Sequence, residues 1–259
     1  MKLLPFVAAL ALIFIRADVA AEARTLNAIE AARTLRVGLT GDYAPYARRA
    51  PDGKFHGADV AMAHALATSL GVALEIVPTT WKTMAADLQA DRFDVAMGGV
   101  SVTPDRAAIG DFSVTVLRDG KRPIVRCSDA ERYTSVAAID RGDVRVVVNV
   151  GGTNELFAKA NFPQAQLDVR NDNRTVFDEV VNNRADVMVT DGAEVDYQVR
   201  QHPGVLCAAK VPAPFDHFDK AYWMMRDSAL KAAVDGWLTK ALGAGDYDKA
   251  LAAAGNDRF

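Results

Sequence analysis

Apolar positions along this chain follow two periods in turn. Leu35 to Thr40, Ala73 to Val77 and Phe93 to Met97 are short apolar runs, which predict three strands. Between the first two, Asp59 to Leu70 has helical apolar spacing and stops at Gly71, a helix C-terminal signal. Thr80 is placed to cap a helix from Trp81 to about Ala90, and Pro51-Asp52-Gly53-Lys54 predicts the turn of a hairpin. This order predicts a parallel sheet with covering helices. The order then recurs. Val144 to Val150, Gln166 to Arg170 and Asp186 to Thr190 predict strands, and Asn154 to Ala160, Thr175 to Asn183 and Ala193 to Gln201 predict helices. The recurrence reads as architectural, without residue identity between the copies. A strand-like Ala221 to Met225 and helices from Ser228 to Leu242 and Tyr247 to Ala253 close the chain, with Trp237 assigned to packing.

Two similar units and a returning tail predict an α/β, two-lobed fold. Each lobe is a mainly parallel sheet with flanking helices, and two hinge crossings join the lobes. The crossings are expected near Arg122-Pro123 and between Lys210 and Pro214. The first lobe is then discontinuous, residues 24–121 and 215–259, and the second is 122–214. A ligand would lie in the cleft, where closure excludes water.

Composition narrows the class. The chain has 259 residues, half of them hydrophobic, and a net charge of −3, without a basic block, which argues against nucleic acid as a partner. Lys2, the apolar run Leu3 to Ile15 and the small-residue site Ala21-Glu22-Ala23 have signal-peptide architecture, so residues 1–23 are expected to be removed. The run, about 13 residues, is short for a bilayer span, and no later segment reaches membrane length. The mature chain is therefore expected to be exported, without stable membrane insertion, and a homo-oligomer is compatible with the sequence. In an oxidising compartment Cys127 and Cys207 read as one disulfide, the alternative being two buried thiols. His56, His64, His202 and His217 are scattered, which argues against a metal site.

Candidate chemistry gathers at Asp186 to Glu194. A buried strand ends in Thr190-Asp191, Gly192 follows, and a helix begins with Glu194 in its first turn. Strand ends of this kind face the crevice of open α/β sheets, so Glu194 is a candidate proton donor into it. The same spacing, Asp191 to Glu194, is also a helix capping box, the more ordinary reading. Ser101-Val102-Thr103-Pro104-Asp105-Arg106 brings hydroxyls, amides and a guanidinium suited to a carboxylate within six residues; the alternative is a Thr-Pro helix start with an exposed arginine. Gly151-Gly152-Thr153-Asn154, mirrored by Gly98-Gly99, is a glycine turn whose amides suit an anion. Trp81 either stacks a ligand ring or packs in the core. Asn149 and Asn154 are turn and cap residues or amide donors to a ligand. Lys121 is a surface lysine or a cation facing an anion.

Leu35 to Thr40, Gly57-Ala58-Asp59-Val60, Asp94 to Gly99 and Ser101 through Ser113 resemble the periplasmic amino-acid-binding proteins of ABC transporters, over essentially the whole mature chain. That family has two α/β lobes joined by two hinge strands, the periplasmic-binding-protein-like fold. A narrower set resembles the periplasmic cyclohexadienyl dehydratases, which share the fold and act on prephenate and arogenate. These residues are Thr40 to Tyr43, Pro78 to Trp81, Leu117 to Lys121, Asn149 to Glu155 and Thr190 to Glu194. Cys127 and Cys207 also fall where those enzymes have cysteines. The resemblance implies that Glu194 is the general acid and that Arg106, with Ser101 and Thr103, binds a carboxylate. It places Trp81, Asn149 and Asn154 in the active site, and Asp42, Lys121, Thr153, Asn173 and Asp191 among the substrate-binding positions. The chain departs from the usual Ser-x-Pro-Tyr where it reads Ser113-Val114-Thr115-Val116.

What this implies is a small anionic substrate that loses a ring hydroxyl as water and a carboxyl as carbon dioxide. Aromatisation drives the reaction and no cofactor is needed. Glu194 must then stay protonated near neutral pH, which burial favours. The competing expectation is a periplasmic transport protein for a polar amino acid. In it Arg106 holds the α-carboxylate, Asp191 holds the ammonium and Glu194 only caps a helix.

Overall fold

The structure, a computed structural model, describes residues 23–256; apart from Ala23, the predicted signal peptide lies outside them. Helix α1 (Leu26–Ala32) leads into β1 (Thr34–Leu39). Strands β2 (Asp42–Tyr43), β3 (Ala47–Arg49) and β4 (Phe55–His56) form a small antiparallel sheet, in which the predicted turn at 51–54 joins β3 to β4. Next come α2 (Ala58–Ser69), β5 (Ala73–Pro78), α3 (Met84–Gln89), β6 (Val95–Ala96), α4 (Pro104–Ile109) and β7 (Asp111–Phe112). Strands β8 (Leu117–Asp119) and β9 (Lys121–Arg126) carry the chain onward to α5 (Val136–Ile139), β10 (Arg145–Asn149), α6 (Thr153–Asn161) and β11 (Gln166–Arg170). Then follow α7 (Asn173–Val181), β12 (Val187–Asp191), α8 (Gly192–Gln201) and β13 (Leu206–Ala208). Strands β14 (Phe218–Lys220) and β15 (Trp223–Met224) return, and α9 (Ser228–Gly243) and α10 (Asp246–Asn256) end the described chain.

Two five-stranded sheets result, in the orders β5-β1-β6-β15-β7 and β11-β10-β12-β9-β13. In each, three neighbouring strands run parallel and one strand runs against its two neighbours, the returning β15 between β6 and β7 in the first sheet and the entering β9 between β12 and β13 in the second. The two-lobed α/β expectation therefore holds. The chain leaves the first sheet after β7 and rejoins it at β15, and both passages run through the antiparallel pair β8/β14. The second sheet shows why its strands form. Val146, Val147 and Val148 are all fully buried, as a central strand covered on both faces requires. Alternation sends Val146, Val148, Val187 and Val189 to one core and Val147 and Met188 to the other.

The recurrence is not purely architectural, which corrects the expectation above. Asp94 and Asp186 occupy matching places before β6 and β12. Asp94 accepts from the Arg36 backbone N–H at 2.8 Å and from its guanidinium at 2.6 Å; Asp186 does the same for Arg145 at 2.9 and 2.7 Å. Before them, Asp91 and Asn183 both adopt positive φ, and Arg92 and Arg184 each reach back five residues, to Asp87 and Glu179. Asp91-Arg92-Phe93-Asp94-Val95 and Asn183-Arg184-Ala185-Asp186-Val187 are thus one motif used twice, a turn locked to an arginine of the neighbouring strand.

Two helix starts also differ from expectation. Thr80 and Thr83 bond each other at 2.8 Å and close a turn, so α3 begins at Met84 and Trp81 precedes the helix. Asp172 caps α7 by accepting from the Arg174 amide, which moves that start back to Asn173. Cys127 and Cys207 form a disulfide across the end of β9 and β13, as expected. The bridge closes a loop over a separation of 80 residues. In the chain-entropy account, removing it as Cys127→Ser with Cys207→Ser should cost about 4 kcal/mol at most, read from urea unfolding. A loss below about 1 kcal/mol would mean that strain offsets the constraint.

Candidate active site

Every residue of β12 is buried, so its polar end, Thr190-Asp191, is carried into the interior by an otherwise apolar strand. Neither acid there behaves as a capping box. Asp191 stands at the cap position of α8 but makes no side-chain capping bond. Its carboxylate instead accepts from the Lys121 ammonium at 2.5 Å, from the Lys220 ammonium and from the Tyr43 hydroxyl. Burial opposes its charge, but the two lysines outweigh burial and hold it well below the usual carboxylate range. Both ammonium groups find three acceptors. Lys121 also donates to Thr153 Oγ1 at 3.0 Å and Asn154 Oδ1 at 2.5 Å, and Lys220 to Gly99 O at 2.7 Å and Ser101 Oγ at 3.0 Å. Burial presses the Lys220 pKa down, and the neighbouring Lys121 adds to this.

Glu194 is 1% exposed and is held by side chains. Its Oε1 accepts from Asn173 Nδ2 at 2.7 Å, and its Oε2 pairs with Thr190 Oγ1 at 2.6 Å. Asn173 Nδ2 also donates to the Asp42 carbonyl at 3.2 Å, which ties α7 to the small sheet. Burial, aided by the charges of Asp191 and Asp42, pushes the Glu194 carboxyl from 4.5 up to about 8, against the pull of those two hydrogen bonds. The stability this contributes is whole below about 4.5 and is lost as pH rises through about 8, because only the unfolded chain ionises freely in between. Urea midpoints of the wild type should therefore fall over that interval relative to Glu194→Gln; parallel trends would contradict the buried proton.

A small cavity, about 10 Å³, room for about one water molecule, lies beside these groups. Tyr43, Trp81, Ser101, Asn149, Asn154 and Lys220 are among its walls. Thr153 and Asp191 line it too, whereas Glu194 lies one step behind: Asn154 Nδ2 donates to Thr190 Oγ1 at 3.0 Å, and Thr190 meets Glu194. Trp81 donates from Nε1 to Asp42 Oδ1 at 3.0 Å and stands edge-on to Tyr43. Burial, with Asp172 adding to it, raises the Asp42 pKa. Arg106 lies 5.9 Å above the Trp81 ring and donates to Ser101 O at 2.9 Å. Burial lowers its pKa to about 10, and among the described residues its guanidinium has no carboxylate within ion-pair distance. Asn149 accepts from Asn154 at 3.2 Å.

Thr103 caps α4, its hydroxyl accepting from the Arg106 amide at 3.3 Å; Thr103, Arg106, Lys121, Asp42 and Asn173 are not among the residues that line the cavity. The Gly98 and Gly99 amides are taken by the buried Asp59, at 2.9 and 2.7 Å, and the Gly151 amide by Glu155 at 2.6 Å. The glycine turns therefore do not offer these amides to an anion. What Gly151 provides is close approach: at φ +81°, an added Cβ would sit 2.7 Å from the Lys82 backbone. Lys220 and Tyr43 were not singled out from sequence. The available signal was a lysine leading an otherwise apolar run.

The match to bacterial extracellular solute-binding proteins, family 3, extends over residues 35–254. The chain belongs to that family. Within the solute-binding proteins of family 3, it is 45% identical over 222 residues to cyclohexadienyl dehydratase of Pseudomonas aeruginosa, covering 86% of this chain and 82% of that one. The ancestral amino acid-binding protein AncCDT-1, a precursor of cyclohexadienyl dehydratase, superposes with TM-score 0.80 at 34% identity, covering 88% of this chain and 97% of that one. An ancestral cyclohexadienyl dehydratase is 46% identical, covering 92% and 98%, yet superposes at 0.56.

Proposed function

We propose that this chain is an exported, periplasmic cyclohexadienyl dehydratase, a carbon–oxygen lyase acting on prephenate and arogenate. The likeness to a curated dehydratase and to an ancestral one supports a lyase. The observation that carries the chemistry is the buried Glu194 carboxyl, held by Asn173 and Thr190 one step behind the cavity, where burial favours its protonated form. Lys121 and Lys220 both pair with Asp191, and Arg106 lies over the Trp81 ring without a carboxylate partner among the described residues, which suits an anionic substrate.

In the proposed reaction Glu194 gives its proton to the C4 hydroxyl of prephenate. The C4–O bond breaks and water leaves. The C1–carboxylate bond breaks, carbon dioxide departs, and its electron pair enters the ring, giving phenylpyruvate; arogenate gives phenylalanine. Solvent reprotonates Glu194 after release. Substrate entry parts the lobes, and the Asn173 and Thr190 bonds are those that Glu194 exchanges for the ring hydroxyl. Arg106 holds a carboxylate, Trp81 contacts the ring, and Asn149 and Asn154 orient it.

Asp191 speaks against the transport reading. That reading needs its carboxylate for a ligand ammonium, but two lysine ammonium groups and a tyrosine hydroxyl already occupy it. The test is to mix purified protein with prephenate near neutral pH, beside an enzyme-free control, and follow phenylpyruvate. Tight binding of a standard amino acid without turnover of prephenate would overturn the proposal.

A further inference from the structure

We propose that Asp119 is a positioning residue for Glu194, acting from the passage between the two sheets; this rests on the general-acid reading above. Helix α8 has ten residues, and its cap residue supplies no side-chain bond. The first-turn amides of a helix still need acceptors. Asp119 supplies them from β8, 73 positions earlier in the chain, together with the Gly120 carbonyl, which also accepts from the Gly192 amide at 3.0 Å. Its Oδ1 accepts from the Gly192 amide at 2.9 Å and its Oδ2 from the Ala193 amide at 3.2 Å. The same carboxylate accepts from its neighbour Gly120 at 2.8 Å and from the Tyr46 hydroxyl at 3.4 Å. The Gly192 position is kept open for it, since a Cβ there would lie 2.7 Å from Asp119 Oδ1.

This remote cap frees two acids at once. Asp191 turns to the lysines, and Glu194 turns to Asn173 and Thr190. Because Asp119 sits on a passage strand, the start of α8 moves with that strand as the lobes rotate. Its charge also counts. The groups facing Glu194 are Asp191 from β12 and Asp42 and Tyr43 from β2, and those near Asp119 are Lys220, Arg122, Tyr46 and, from α10, Tyr247. Removing the Asp119 charge leaves the positive end of α8 uncompensated beside Glu194, which favours the ionised acid.

The test compares wild type, Asp119→Asn, Gly192→Ala and Glu194→Gln on prephenate across pH. Asp119→Asn should lower kcat about tenfold with KM within about twofold. Its alkaline limb should move to lower pH by about half a unit, the scale of one carboxylate at a helix terminus. Gly192→Ala, which pushes the carboxylate aside, should shift the limb the same way. A limb that stays in place in both variants overturns the inference, whatever happens to kcat, because a merely structural cap would leave it unmoved. If Glu194→Gln keeps its turnover, the general-acid reading itself fails. If that variant is inactive and neither limb moves, only the role of Asp119 fails.

Discussion

Glu194→Gln is expected to leave a folded protein that binds prephenate within a few fold of wild type and turns it over about 10²–10⁴ times more slowly, the usual contribution of general acid catalysis. Glutamine has nearly the same shape and can keep the contacts with Asn173 and Thr190, so the cleft should survive. What it lacks is the transferable proton. The loss should fall on kcat, because the proton moves only in the transition state. Stopped-flow binding and steady-state kinetics separate the two. A rise in KM alone would reassign Glu194 to binding.

Asp191→Ala should give the largest loss of stability, about 3–5 kcal/mol, the usual result of breaking a buried ion pair by removing one partner. Lys121 and Lys220 are each about 2% exposed at their side chains and would be left facing one another without the carboxylate. The sign with pH is the opposite of that for Glu194. Asp191 is held ionised below its ordinary range, so its contribution is present above the unfolded value of 3.8 and is lost as pH falls through the lower folded one. The gap between wild type and Asp191→Ala should therefore narrow in acid. Urea unfolding reads it, and a gap below about 1 kcal/mol at neutral pH would show that the lysines find other partners.

The two sheets were legible because buried strands such as Val146 to Val148 leave a dense apolar signature. The helix carrying Glu194 was legible for the same reason, since it follows the buried β12. The duplicated turn around Asp94 and Asp186 was also written in the residues, but it shows only once the Arg36 and Arg145 partners are placed beside it. The Gly98, Gly99 and Gly151 amides misled because a free amide and an occupied one look alike in sequence. Their acceptors, Asp59 and Glu155, were present but carried no mark of that role. Lys220 and Asp119 act on partners 29 and 73 positions away, so no local pattern could assign them. The capping-box reading of Asp191 failed on the same account: a remote carboxylate took over the cap.

The most direct measurement is kcat/KM for prephenate against pH, which reports ionisations of the free enzyme. Activity should hold through neutral pH and fall with a limb near about 8, where the Glu194 carboxyl gives up its proton. A profile that stays level or climbs through that range would show that the reaction does not need a protonated Glu194.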